Sequence, residues 1–207
     1  NKGALRPGIA ALLKITKRLP ENCSATDLAF TVAPRLNAAG RIDDMALGVN
    51  CLLIDSIAEA DTLALKLHTL NEERRTIENS MKQEAFITVS QLKLDQNLPT
   101  ALCVFDEKWH QGVVGLLASR LKDKINRPVI AFAPGDGAQL KGSARSISGL
   151  HLRDLLESIA NHHPALIERF GGHAMAAGLT IRRENYSKFA MLFDAEAKKH
   201  LSADDLH

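Results

Sequence analysis

Apolar residues in the middle of the chain recur at steps that are mostly three or four, the spacing of one helix face. They are Ala60, Leu63, Leu67, Leu70, Ile77, Met81 and Ala85. Ser56 and Glu59 precede them at the spacing of a capping box, and no Pro or Gly interrupts residues 56–97. The pattern predicts one helix of about 35 residues, about 50 Å long. This length is typical of a connector between two domains; a coiled-coil dimer is the alternative, which Arg74 at a seam position disfavours.

The last hundred residues alternate short apolar runs with helical patterns. Residues 101–105 and 128–132 have the composition of strands, and a helical pattern over 113–121 separates them. This order predicts a βαβ unit with parallel strands. Further strands are predicted at 141–147 and 177–181, and further helices at 151–159 and 185–200. The predicted fold class is α/β: a mixed, partly parallel sheet flanked by helices and preceded by the long connector helix.

The first residues contain one short helical pattern, at 9–15, with Pro7 near its start, where proline is tolerated. A stretch with Pro34 and Gly40 follows. So little apolar mass is unlikely to fold alone. We therefore interpret residues 1–44 as the end of a domain whose body lies upstream, residues 45–97 as a helical connector, and residues 98–207 as a separate α/β domain.

Composition narrows the class of protein. Apolar residues make up 45% and charged residues 24% of the chain, as in globular proteins, and no apolar run is long enough to cross a membrane. Cys23, Cys51 and Cys103 are an odd number and lie far apart, which predicts reduced thiols in a cytoplasmic protein. One Trp, one Tyr and seven Phe provide little stacking surface, so any nucleic-acid binding is expected to use phosphate contacts.

Three clusters combine glycine with His, Ser or Arg. In the first, His110 and Gly112 lie between a predicted strand and a predicted helix, where free amides attract anions. His110 could donate to a phosphate there, or it could simply cap the helix while Trp109 packs. In the second, Ser143 and Arg145 share one strand face with Lys141, a good arrangement for an anion. An ordinary solvated strand face is the alternative.

The third cluster is Gly171-Gly172-His173. Paired glycines allow close backbone approach and are typical of a loop pressed against a ligand, and His173 could donate, accept or transfer a proton. The alternative is a glycine turn beside a satisfied histidine. The sequence has no Walker loop, no His-Glu-x-x-His, no Cys-x-x-Cys, and no Asp and His cluster suited to two metal ions. The residues thus indicate phosphate binding without a catalytic centre.

Four segments together resemble the bacterial RecJ exonucleases of the DHH phosphoesterase family. They are residues 34–41, 109–120, 142–146 and 170–178. The resemblance implies a DHH domain that holds two Mn²⁺ or Mg²⁺ ions upstream of this chain, a long helix, and a DHH-associated domain. It further implies that single-stranded DNA lies between the domains and is degraded from its 5′ end in DNA repair and recombination. No metal ligand and no cofactor is expected in this chain, and the fragment alone is expected to be inactive.

The resemblance also assigns roles to individual residues. Ser143 and Arg145 resemble the pocket for the 5′-terminal phosphate, and His173 with Gly171 and Gly172 resembles the loop that faces the scissile phosphate. Four residues of other segments are expected to contact DNA. These are Asn37 and Arg41 beside the cleft and His110 with Gly112 at the strand–helix junction, His110 having the least defined role.

Two other functions are consistent with the same residues. One is a DHH phosphodiesterase that acts on short oligonucleotides or cyclic dinucleotides; the long predicted helix favours the exonuclease, whose DNA channel it would frame. The other is an interaction module without enzymatic activity. Expected partners are single-stranded DNA and, in the cell, single-strand binding protein; the chain is expected to be a monomer without membrane contact.

Overall fold

The computed structural model describes residues 5–94 and 98–206. They divide into two compact units, residues 1–77 and 78–207, and the division lies within the long helix. The predicted domain limits at residues 1, 97 and 207 lie outside the described residues. The division into 1–44, 45–97 and 98–207 therefore stays a prediction.

The first unit is helical. Its helices are α1 (Pro7–Ile15), α2 (Ala25–Asp27), α3 (Ala33–Ile42), α4 (Ala46–Leu53) and the first half of α5 (Ile57–Leu94). A 3₁₀ turn, Pro20–Asn22, follows α1, and a π-helical segment, Leu28–Val32, joins α2 to α3. Pro7 begins α1 as expected, since its missing N–H needs no partner there. The stretch with Pro34 and Gly40 is helical over most of its length.

The core of this unit forms between α1, α3, α4 and α5. Leu12, Leu13 and Leu67 are fully buried in it. Gly8 lies directly against α4, because a Cβ at this position would be 1.7 Å from the carbonyl oxygen of Cys51. The apolar residues that predicted the α5 face thus also cover the short preceding helices, which have too little apolar surface of their own.

Helix α5 confirms the predicted long helix. It contains 38 residues and would extend about 57 Å at 1.5 Å per residue. The amide of Glu59 donates to Ser56 Oγ at 3.4 Å, which is the serine half of the predicted capping box. Met81 and Ala85, in the half of α5 that belongs to the second unit, are buried.

The second unit is an α/β domain with a five-stranded mixed sheet in the order β1-β2-β3-β5-β4. Its elements are β1 (Leu102–Phe105), α6 (Val114–Ile125), β2 (Val129–Pro134), β3 (Gln139–Arg145), α7 (Leu152–His162), β4 (Arg169–Gly172), β5 (Ala176–Arg182) and α8 (Tyr186–Ala197), with 3₁₀ turns at Arg183–Asn185 and Asp204–Leu206. Strands β1 and β2 are parallel, which confirms the βαβ unit; the remaining pairs are antiparallel.

Helices pack on both faces of the sheet. On one face, Ile130, Phe132, Leu140 and Ile181 join α7 and α8 in a single apolar core. Alternate side chains of β2 and β3 point to the opposite face, where α6 lies. The predicted fold class is confirmed. The one strand that the apolar pattern missed is β4, because an edge strand with two glycines has no alternation of apolar and polar residues.

Candidate phosphate-binding site

The candidate site is built on β3. Its residues Lys141, Ser143 and Arg145 alternate with buried Leu140, Gly142 and Ala144, so the three polar side chains share the face on which α6 lies. One guanidinium nitrogen of Arg145, Nη1, donates to Ser143 Oγ at 3.1 Å and to the carbonyl oxygen of Ala144 at 2.7 Å. The guanidinium is thereby fixed beside the serine hydroxyl. The predicted shared face is thus present, with two of its donors in contact.

The first turn of α6 lies against these two residues. A Cβ on Gly115 would be 3.1 Å from Ser143 Oγ and 3.2 Å from Arg145 Nη2. No side chain caps this end of the helix at Val113. Helix N-termini attract anions through their amides and dipole. A guanidinium, a hydroxyl and a helix N-terminus therefore meet at one place, and the chemistry of all three fits a phosphate group.

The junction between β1 and α6 holds His110 and Gly112 in a tight turn. The amide of Gly112 donates to His110 Nδ1 at 3.1 Å, and the His110 carbonyl accepts from the amides of Val113 and Val114. His110 therefore does cap the turn. In a neutral ring an accepting Nδ1 leaves the proton on Nε2, which can donate to a ligand. His110 can therefore cap the turn through Nδ1 and contact a phosphate through Nε2 at the same time. The phosphate contact stays a prediction.

Trp109 packs beside this turn, with 6% of its surface exposed. Its Nε1–H donates to Glu84 Oε2 of α5 at 3.0 Å. Arg120 of α6 also pairs with α5, through Glu78 at 3.5 Å. These contacts fix the β1–α6 junction to the end of the long helix. Sequence reasoning missed Glu84, because a helical glutamate 25 residues before its partner has no local signal.

The Gly171-Gly172-His173 segment is not the loop that the sequence suggested. Both glycines end strand β4, and His173 begins the hairpin to β5. Gly172 has φ +150°, and a Cβ there would be 2.4 Å from the carbonyl oxygen of Ala176. The hairpin therefore requires this glycine. At Gly171 nothing lies within 4 Å of the Cβ position, so packing among the described residues does not explain that glycine.

The hairpin also lies next to the end of β3. The amide of Ser146 donates to the carbonyl oxygen of Met175 at 3.0 Å, and Arg145 is directly opposite Ala176 in the β3–β5 register. The exposed His173 precedes these hairpin residues. The fold thus brings the second and third glycine clusters to adjacent strands, as one site would require.

Asn37 and Arg41 belong to the first unit. They lie one turn apart on α3, so they share a face of that helix, and Asn37 is exposed. The neighbouring Arg35 donates through Nε to His68 Nδ1 of α5 at 3.2 Å, and burial lowers the pKa of its guanidinium. Their expected contact with DNA stays a prediction.

The resemblance implies that the two metal ions are bound upstream of this chain. Among residues 5–94 and 98–206, no three His, Cys, Asp or Glu side chains are grouped so that they could hold a metal ion. In the same part of the chain, no helix has the length and apolar character to cross a membrane.

Cys23, Cys51 and Cys103 are free thiols, in agreement with the reduced state expected for them.

Comparison with known proteins identifies the class of this fold. Residues 89–199 match the model of the DHHA1 domain, which places α5's last turns and most of the second unit within it. The chain therefore belongs to the DHHA1 domain family.

Relatives of this chain include the RecJ exonucleases. The chain is 50% identical over 192 residues to the single-stranded-DNA-specific exonuclease RecJ of Salmonella typhimurium, covering 92% of this chain and 33% of the relative. Crystal structures of RecJ from Thermus thermophilus with Mg²⁺ and with Mn²⁺ match it with TM-scores of 0.78 and 0.80, at 31% and 30% identity. They cover 93% and 95% of this chain and 28% of each RecJ chain. The resemblance to RecJ is confirmed, and the chain spans about a third of the length of such a relative.

Proposed function

We propose that this chain is the DNA-binding part of a metal-dependent exonuclease that degrades single-stranded DNA from 5′ to 3′ in DNA repair and recombination. The observation that carries the proposal is the contact of Ser143 and Arg145 with the start of α6. The 50% identity to a single-stranded-DNA-specific exonuclease supports the same substrate.

In this proposal the 5′-terminal phosphate binds to Ser143 and Arg145. The guanidinium contributes charge and directed N–H donors, the hydroxyl contributes a further donor, and the helix N-terminus favours the negative charge. His173 and the open backbone at Gly171 face the next part of the strand, and Nε2 of His110 can donate to a phosphate oxygen. Asn37 and Arg41 contact the DNA from α3. All of these contacts hold and orient the strand.

The proposal places bond cleavage outside this chain. Mg²⁺ or Mn²⁺, which RecJ crystal structures contain, would supply an activated water and stabilise charge on the oxygens. Within the described residues no group fits such a centre. We therefore expect no release of nucleotides from labelled single-stranded DNA when the purified chain is incubated with Mn²⁺. Sustained release would contradict the proposed division of roles.

The proposed setting is the cytoplasm, where the protein would act as a monomer on DNA coated by single-strand binding protein. Sedimentation of the chain alone tests the monomeric state, and sedimentation with single-strand binding protein tests that partner.

Binding to 5′-phosphorylated and 5′-hydroxyl oligothymidylates tests the proposal directly. The chain should prefer the phosphorylated strand, and its affinity should fall as salt rises, because phosphate contacts dominate. Arg145→Ala should abolish the preference, while Arg153→Ala should leave it unchanged, since Arg153 is an exposed cation on α7. Equal binding of both strands by the unmodified chain would overturn the terminal-phosphate role of Ser143 and Arg145.

A further inference from the structure

The turn between β1 and α6 has one buried side chain. Within residues 106–112, all of which the structure describes, Trp109 is 6% exposed, and the other residues are partly or fully exposed. Those other residues are polar, charged or glycine. The turn therefore has a single apolar anchor, and its position depends on what Trp109 contacts.

The directed contact of Trp109 is with Glu84 of α5, whose carboxylate accepts from the indole Nε1–H at 3.0 Å. An indole has one N–H donor, and a buried donor without an acceptor is costly. A carboxylate is a charged acceptor, which strengthens the bond. The other contact between α5 and α6 is the pair of Glu78 with Arg120 at 3.5 Å, but the Arg120 side chain is 62% exposed, and such pairs contribute little. Glu84 is thus the α5 residue that fixes the turn.

His110, the next residue after Trp109, organises the start of α6. Its carbonyl oxygen accepts from the amides of Val113 and Val114 at 2.9 and 3.2 Å. Its ring Nδ1 accepts from the amide of Gly112 at 3.1 Å. Three consecutive amides are therefore bonded to His110, and any movement of Trp109 must displace the residue that holds them.

The amide of Gly115 is not bonded in this way. The two residues after it, Leu116 and Leu117, donate to the carbonyl oxygen of Val113 at 2.9 and 3.2 Å. Gly115 itself has no backbone acceptor in the described part of the chain, as is usual for an amide in the first turn of a helix. A Cβ on Gly115 would be 3.1 Å from Ser143 Oγ. An unbonded backbone donor therefore lies beside the residue on which the terminal phosphate is proposed to bind.

We propose that Glu84 is a positioning residue for the 5′-terminal phosphate. By accepting from Trp109 it holds the turn in the arrangement that keeps the Gly115 amide available beside Ser143 and Arg145. The inference rests on the proposed function and adds a residue of α5 to the same site. Glu84 is not a ligand of the phosphate, since two negative charges repel each other; it acts only through the indole.

Binding of 5′-phosphorylated and 5′-hydroxyl oligothymidylates at low salt tests this role. Glu84→Ala should bind the phosphorylated strand roughly fivefold more weakly and the hydroxyl strand with nearly unchanged affinity. This direction is opposite to the effect of charge alone, because removal of a carboxylate favours the approach of an anion. The matched control is Glu157→Ala, which removes an exposed carboxylate from α7 and should not weaken binding of either strand.

Two further variants separate positioning from stability. Glu84→Gln keeps an oxygen that can accept from the indole, so its affinity for the phosphorylated strand should stay within about twofold of the unmodified chain. Trp109→Phe removes the donor instead of the acceptor and should weaken the phosphorylated strand as Glu84→Ala does. All affinities are measured at a temperature at which circular dichroism shows each variant to be folded. A purely structural role would lower the unfolding temperature and leave these affinities unchanged.

The indole itself provides a spectroscopic signature. Trp109 is the only tryptophan of the chain, so the NMR spectrum contains one indole N–H signal. Thymidine 5′-monophosphate should shift this signal and that of the Gly115 amide in the unmodified chain and in Glu84→Gln. In Glu84→Ala the same shifts should require roughly fivefold more ligand. Thymidine, which has no phosphate, should shift neither signal.

Three results would count against the inference. If folded Glu84→Ala binds the phosphorylated strand as tightly as the unmodified chain, the positioning role is overturned while the proposed function stands. If Glu84→Gln binds it as weakly as Glu84→Ala, the hydrogen bond is not what positions the turn. If the unmodified chain binds both strands equally, this inference and the proposed terminal-phosphate site are overturned together.

Discussion

The indole of Trp109 donates its only N–H to the carboxylate of Glu84, at 3.0 Å. Trp109 begins the turn that leads to α6, and Glu84 lies on α5 within the same compact unit. Because the indole is buried and its hydrogen bond is satisfied, the end of the long helix holds the junction that carries His110 and Gly112. Helix α5 thus helps to position the residues of the candidate site at the β1–α6 junction.

Trp109→Phe should lower the free energy of unfolding by about 2 kcal/mol. The substitution removes the hydrogen bond and leaves the Glu84 carboxylate without this donor. Chemical denaturation followed by circular dichroism measures the change. Glu72→Gln is the control, because the Glu72–Arg75 pair on the same helix is exposed and should contribute less than about 0.5 kcal/mol. A Trp109→Phe variant as stable as the parent would show that the contact does not hold the junction.

Gly115→Ala should weaken binding of 5′-phosphorylated oligonucleotides while the chain stays folded. The added methyl group would be 3.2 Å from Arg145 Nη2, the end of a flexible side chain, so the guanidinium must move while the backbone need not. Alanine also has the higher helix propensity, by about 0.5–1 kcal/mol. Thermal unfolding and oligonucleotide titration on the same sample separate the two effects. Unchanged affinity would place the bound phosphate away from the start of α6.

The two glycines of the β4 hairpin should respond differently to alanine. Gly172→Ala should destabilise the chain by about 2 kcal/mol or more, because its φ is +150° and the new Cβ would be 2.4 Å from a backbone oxygen. Gly171→Ala should leave stability nearly unchanged, since its Cβ would occupy open space. It should weaken binding of 5′-phosphorylated oligonucleotides, because the methyl group would obstruct the open backbone that is proposed to face the strand. Unfolding temperatures of the two variants provide the comparison. Similar losses of stability would indicate that both glycines are required by the hairpin alone.

The three thiols should react with an alkylating reagent in a defined order. Burial raises the pKa of Cys51 and of Cys103, so little of either is present as the reactive thiolate at neutral pH. Cys23, which is partly exposed, should therefore react first. Mass spectrometry after brief treatment of the native chain identifies the modified residue, and Cys23→Ser should slow the overall reaction. Rapid modification of Cys103 in the native chain would contradict the raised pKa of its thiol.

The sequence alone was sufficient for the features that depend on local pattern. The apolar spacing predicted α5, because a helix face repeats every three or four residues whatever packs on it. The alternation around Ser143 and Arg145 predicted their shared face, because a strand places every second side chain on the same side. The combination of four segments indicated the RecJ family, and the 50% identity to RecJ of Salmonella typhimurium agrees with it.

Only the tertiary structure decided which distant residues meet. Strand β4 was missed because its identity depends on pairing with β5, and the contact of Trp109 with Glu84 joins positions with no shared local pattern. The alignment of Ser143 with Gly178 and Gly171 likewise depends on the register of three strands, which hydrogen bonding and packing fix across the whole sheet. Residue type and spacing determined what the local elements are; the pairing of strands and the packing of helices determined which of their side chains form one surface.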